Sequence, residues 1–274
     1  ALDTATNHDA FYRDLVHDVQ VQGGVFSWNH PFGYNGGPLL SSAERNTKRR
    51  DVYRKLAAVD VYGADILEVG YSVRGNVDTS AHLALWDTFS RNGRFLTGNG
   101  TSDDHAGKSW KGLGNGFLTA TWGGSKADQD VVAALRSGRA FLYHCGRWPN
   151  AELDMLVDAV VPMGMASVSG VGSRTLTVYA RNLPSGGRVE IVQGPADRSG
   201  AVDPDVSVVR PLTAASFVDG QASMTVDTRT PSFGRATVRR RTGFFSRRKA
   251  GACATSTGSS SGQDSRSSAT FVAG

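Results

Sequence analysis

Through its first half the chain alternates helix-spaced apolar residues with short apolar runs. Residues 9–22, DAFYRDLVHDVQVQ, set Phe11, Leu15 and Val19 four apart, which lines them along one helix face, and Gly23 and Gly24 follow as a stop. VFSWNHP (25–31) then reads as a short strand ended by Pro31. The cycle repeats twice. RRDVYRKLAAVDVYG (49–63) predicts a helix before the strand DILEVG (65–70), and SAHLALWDTFSRNG (80–93) a helix before the strand RFLTGNG (94–100). A further helix, KADQDVVAALRSG (126–138), leads into the strand AFLYHC (140–145). This order predicts an α/β fold with a parallel sheet or barrel, in which functional groups gather at the C-terminal ends of the strands.

From about residue 151 the period changes. AELDMLVDAVV, TLTVYARNL, RVEIVQG, DVSVVRPL and QASMTVDT alternate every two residues between Gly, Pro, Asn and Asp turns, which predicts an all-β sandwich. After FGRATVRR the composition drifts to Ser, Gly, Thr and Ala. The chain is thus expected to divide into an α/β part (1–150), a β-sandwich (151–240) and a disordered basic Ser/Gly-rich tail (241–274).

A hydrophobic content of 39% with 20% charged residues describes a soluble globular protein. No apolar run reaches membrane-spanning length, and ALDTATNHDA has neither a basic n-region nor an apolar h-region, so no anchor or signal peptide is expected. The net charge of +5 changes meaning once it is located. From Arg235 onward there are eight basic residues and one acid, so the rest of the chain is slightly acidic. This argues against a general nucleic-acid-binding face. Cys145 and Cys253 are far apart and match neither a CxxC metal knuckle nor a disulfide-dense scaffold.

Three strand ends carry polar groups that a packed core does not select. In SWNHPFG, Asn29 and His30 immediately precede the proline, which turns the imidazole out of the strand mouth; a plain loop histidine is the alternative. In DILEVG, Glu68 interrupts an apolar run and must be paired or face a site, because burying a lone carboxylate costs several kcal/mol. In GNGTSDDHAG, Asp103 and His105 stand two apart, so both can turn toward one ion, with Asp104 orienting a neighbour. An Asx turn capped by Asp103 is the alternative there.

Together, a strand ending in HP, a later strand with an embedded Glu, the helix ALWDTFSRNGR and a strand ending in SDDH resemble the second half of the PHP (polymerase and histidinol phosphatase) metal-dependent hydrolase superfamily. The likeness covers roughly half the chain. GNGTSDDHAG, then GNGFLTATW, then a sandwich look most like the branch that includes carbaryl-type ester hydrolases. The resemblance implies a distorted (β/α)7 barrel with two or three Zn, Mn or Fe ions at its mouth. It places metal ligands on His30, Asp103 and His105. The His-x-His strand that opens such domains does not precede His30, so the barrel is expected to lack its first strands, which an upstream segment or a complementing chain would supply.

On this reading the protein is a metallohydrolase of small-molecule phosphoesters or carboxylic or carbamic esters, acting through metal-activated water and incomplete as given. Tyr34, Asn35, Arg74, Lys108 and Trp110 are candidate substrate contacts in loops at the mouth, with Trp122 a further candidate for lining an aromatic pocket. Asn29, Glu68 and Asp104 are candidate supporting residues. The rival readings are a non-catalytic binding module carried by the sandwich, and an inactive truncated product.

Overall fold

The periodic runs fold as helices whose ends are set by local chemistry. The computed structural model describes residues 5–34, 37–103, 116–145, 147–168, 170–183, 185–240 and 270–273. Helix α1 (Ala5–Val21) precedes the two-residue strand β1 (Ser27–Trp28). Helix α2 (Ser42–Ala58) starts seven residues before the apolar pattern suggests. Its start is fixed by a capping box: the Glu44 carboxylate accepts from Ser41 N at 2.9 Å, and Ser41 Oγ accepts from Glu44 N. Helix α3 (Thr79–Arg91) is capped by Asp78, which accepts from Ala81 N. It buries Ala81, Leu85, Trp86 and Phe89 against Tyr53 and Leu56 of α2 and Leu67 and Val69 of the sheet.

That sheet is parallel. Strands β2 (Ile66–Gly70) and β5 (Thr97–Gly100) run beside β1 in the order β1-β2-β5, with Ser27 opposite Ile66 and Glu68 opposite Asn99. Between β2 and α3 a small hairpin, β3 (Val73–Arg74) and β4 (Val77–Asp78), turns through Gly75 and Asn76, both with positive φ. Gly75 is required for a second reason: a Cβ there would stand 2.2 Å from the Phe32 carbonyl oxygen.

One expectation fails after β5. Strand β6 (Phe117–Thr121), joined through helix α4 (Asp128–Arg136) to β7 (Ala140–His144), pairs with it antiparallel, Phe117 opposite His144. Once β6 is counted, α4 links two strands of opposite direction, so β7 does not extend the parallel order. The pair packs closely on β5, since a Cβ on Gly100 would lie 3.0 Å from the Leu118 carbonyl oxygen. The strands of this half do not close into a barrel among the described residues.

The second half is built of two largely antiparallel sheets. Strands β8 (Glu152–Val157), β9 (Val161–Pro162), β11 (Ser173–Arg181) and β14 (Gln221–Asp227) form one, in the order β14-β11-β8-β9. Strands β10 (Ala166–Ser167), β12 (Gly187–Pro195), β13 (Ser207–Thr213), β15 (Ser232–Arg240) and β16 (Thr270–Ala273) form the other, in the order β10-β16-β15-β12-β13. Buried residues alternate along β14, and both sheets contribute to one cluster that includes Leu153, Met155, Leu176, Val178, Ile191, Leu212 and Ala236. The end of the predicted tail is therefore strand: β16 lies between β15 and β10, while residues 241–269 lie outside the described residues. Cys145, buried just past β7, is disulfide-bonded, which the spacing of the two cysteines does not reveal.

The halves are joined by charged side chains. Arg235 of β15 donates to both oxygens of Asp87 on α3, at 2.9 and 2.8 Å, with both side chains buried. Residues 197–205 lie over α2 and α3: Asp203 pairs with Arg49 and Arg50, Asp197 with Arg91, and Asn92 bonds Ala201 O and Gly200 N. Among the described residues no helix is long and apolar enough to cross a membrane.

Candidate metal centre

The C-terminal ends of β1, β2 and β5 bring His30, Glu68 and Asp103 together. Glu68 lies in the middle strand with its side chain fully buried, and every group around it donates. One carboxylate oxygen accepts from His30 N at 2.5 Å and lies 2.9 Å from His30 Nδ1. The other accepts from Thr101 Oγ1 at 2.8 Å. These bonds satisfy a carboxylate that could not be left alone in a sheet. The same carboxylate also holds the imidazole in place through Nδ1.

Nε2 faces Asp103, whose Oδ1 is 3.8 Å away. His30 and Asp103 both have positive φ, 54° and 56°, unusual for residues other than glycine. The turn out of each strand thus aims the two side chains at each other, and such backbone geometry persists only where its surroundings hold it.

Arg74 fills the space between them. Its guanidinium pairs with Asp103 Oδ2, donates to Tyr71 Oη at 2.7 Å and lies against both imidazole nitrogens, 3.0 Å from Nε2. The Tyr71 ring centroid is 4.2 Å from Cζ and the Tyr34 ring 5.9 Å. Burial works against the charge on Arg74, but the bonds to Asp103 and Tyr71 outweigh it and its pKa is raised. The sequence reading of Arg74 as a loop cation at the mouth is corrected by this placement: it is 7% exposed, on a hairpin strand, inside the site.

The remaining predicted residues divide. Tyr34 is 78% exposed with its ring 4.7 Å from that of His30, at the rim. Asn29 is exposed and accepts from Ser27 Oγ at 2.7 Å. Trp122 packs against the core of the second half and does not line this site. Asn35, Asp104, His105, Lys108 and Trp110 lie outside the described residues.

Two histidines escaped the sequence reading. His82 of α3 is 1% exposed beneath Glu68, its Nδ1 3.4 Å from the Glu68 carbonyl oxygen and its ring edge-on to Phe32. Burial pushes its pKa down to about 4, against the pull of the Glu68 hydrogen bond. A histidine among Ala81, Leu85, Trp86 and Phe89 on one helix face was the available signal. His144, at the end of β7, has a buried Nδ1 without a hydrogen-bond partner among the described residues, and burial followed by Arg147 lowers its pKa.

The donors suit a divalent transition ion in kind: an imidazole backed by a buried carboxylate, opposite an aspartate. Their spacing of 3.8 Å is wider than the roughly 3.4 Å of two donors each about 2.1 Å from one ion at the tetrahedral angle. Among the described residues no three His, Cys, Asp or Glu side chains surround a common point, because Glu68 is committed to His30 and Arg74 takes the space beside Asp103. No protein-family model, curated protein or solved structure matches this chain.

Proposed function

We propose that this chain is a metal-dependent hydrolase of phosphoester or carboxylic or carbamic ester bonds. Its α/β half would be the C-terminal portion of a PHP-like barrel and its two β-sheets an appended sandwich. The observation that carries the reading is the His30 imidazole, anchored through Nδ1 on Glu68 with Nε2 turned toward Asp103 where three parallel strands end. His30 and Asp103 would hold the ion, with His105 the third ligand expected from the sequence. A divalent ion held there would supply Lewis acidity and would lower the pKa of a bound water toward neutral.

The chain's own residues do the rest. Glu68 orients the His30 ring by its contact with Nδ1. Tyr71 and Tyr34 flank the guanidinium and place aromatic faces beside its charge. Thr101 and the His30 amide hold the Glu68 carboxylate in place.

The test is titration of Mn²⁺ and Zn²⁺ into chelator-stripped protein by calorimetry, followed by assay against p-nitrophenyl phosphate and aryl ester and carbamate substrates. Saturable uptake at a site lost in His30→Ala and in Asp103→Asn is expected, with hydrolysis of at least one substrate. Lack of saturable uptake at millimolar ion, with Arg74 intact and with it replaced, overturns the reading.

A further inference from the structure

We infer that strand β13 (Ser207–Thr213), at the edge of the second half, joins two copies of this chain, antiparallel and related by a two-fold axis, so that their five-stranded sheets run on as one. The inference goes beyond the metal-site reading and does not depend on it. Three observations carry it.

First, the edge is open and apolar. β13 ends the order β10-β16-β15-β12-β13, with β12 on one side and no strand on the other among the described residues. Such an edge presents unpaired N–H and C=O groups to any strand laid along it. Val208 and Val209 are 51% and 42% exposed, and along the whole strand only Leu212 is buried. The long edge strand of the other sheet, β14, is built differently. Its Ala222, Met224 and Val226 are buried and the residues between them, Ser223 and Thr225, are polar, so it leaves no apolar side chain to cover.

Second, the edge is limited in length. Pro204 and Pro211 have no N–H to donate, and they bracket residues 205–210, DVSVVR. A register shift opposite Ile191 and Val192 leaves Val209 without a partner on β12. The other edge of the same sheet, β10, is two residues long. Pairing is therefore confined to one short window, and two copies that meet there about a two-fold axis close on each other instead of growing into a fibre.

Third, the charges select the occupant. The window opens on Asp205 and ends on Arg210, both exposed. The Asp205 side chain is 75% exposed and stands 3.9 Å from Arg91 of its own copy, a weak contact. Antiparallel pairing lays the acidic end of each window beside the basic end of the other, whereas parallel pairing sets like charge against like. The valines between them are covered in the same step, so the strand that complements this edge is a second copy of itself.

The experiment is sedimentation equilibrium of the full chain over a dilution series, with a thermal melt of each variant. Wild type should form a dimer that dissociates on dilution. Val209→Lys places a charge in the middle of the window and should leave the chain monomeric. Arg210→Glu sets acid against acid at both ends and should weaken the dimer at least about tenfold, and adding Asp205→Lys should restore most of that loss. These side chains are exposed, so the melts should match wild type; where Val209→Lys does not fold, Arg210→Glu and its rescue decide. A wild-type chain that is monomeric at every concentration overturns the inference. So does a dimer as tight in Arg210→Glu as in wild type, which joins elsewhere, and so does failure of Asp205→Lys to rescue, which denies the antiparallel pairing.

Discussion

The two halves of this molecule treat buried polarity in opposite ways. The β half fills its core with Leu, Met, Val, Ile and Ala, and among the described residues it leaves no buried side-chain nitrogen or oxygen without a hydrogen-bond partner. The α/β half buries Glu68, Arg74, His82, Asp87, Thr88 and Ser90, and among the described residues it leaves Arg49 Nε, His82 Nε2, Asn99 Oδ1, Arg139 Nε and His144 Nδ1 without hydrogen-bond partners. A core selected for stability alone avoids such groups, since each unsatisfied one costs about 1–3 kcal/mol. The half that carries them is also the half that holds the His30, Glu68 and Asp103 cluster.

The largest test of that division is the bond between the halves. Arg235→Met strands the buried Asp87 carboxylate and should cost about 3–5 kcal/mol in urea unfolding, most of it recovered when Asp87→Leu is added. A single mutant within 1 kcal/mol of wild type would show two halves that stand independently.

Acid should separate them next. His82 has its folded pKa lowered to about 4, while the unfolded chain titrates near 6.5, so between these values the unfolded state binds the extra proton. The His82 contribution is therefore complete above pH 6.5 and declines toward pH 4, by about 3 kcal/mol in all. Burial sets the direction, Arg74 adds to it, and Glu68 and Asp78 pull the other way without overcoming it. Denaturant midpoints followed from pH 7 to pH 4 should fall, and His82→Leu should flatten the slope; an unchanged slope removes His82 as the acid-sensitive element.

The smallest effect probes local structure only. Ser41→Ala deletes the α2 cap and should cost about 1 kcal/mol, with metal affinity unchanged. A change in affinity would mean that α2 reaches the site through Lys48, which holds the hairpin of Arg74.

Much of this was legible in the sequence where a local pattern decided the outcome. The periodicity of α1, α3 and α4, the buried run of β2 and the alternation of the β half follow from side chains that must face one side. Glu68 was legible as well, because a carboxylate in an apolar strand has to find donors. Three features were not. The start of α2 depends on a capping pair outside the apolar pattern, and β6 alternates Thr with apolar residues over only five positions. Arg74 reads as an exposed loop cation until the Gly75–Asn76 turn folds it back over His30 and Asp103, a contact set by tertiary structure.

The charged seam between the halves also bears on the order in which the chain can be completed. Asp87 waits for a partner 148 residues further on, and Arg50 for one 153 residues further on. During synthesis α2 and α3 emerge long before the residues that pair with Arg50 and Asp87, so those two ion pairs are made only after β15 has emerged. Contacts of such long range belong to slow-folding topologies, and they make the last-made half a participant in folding the first.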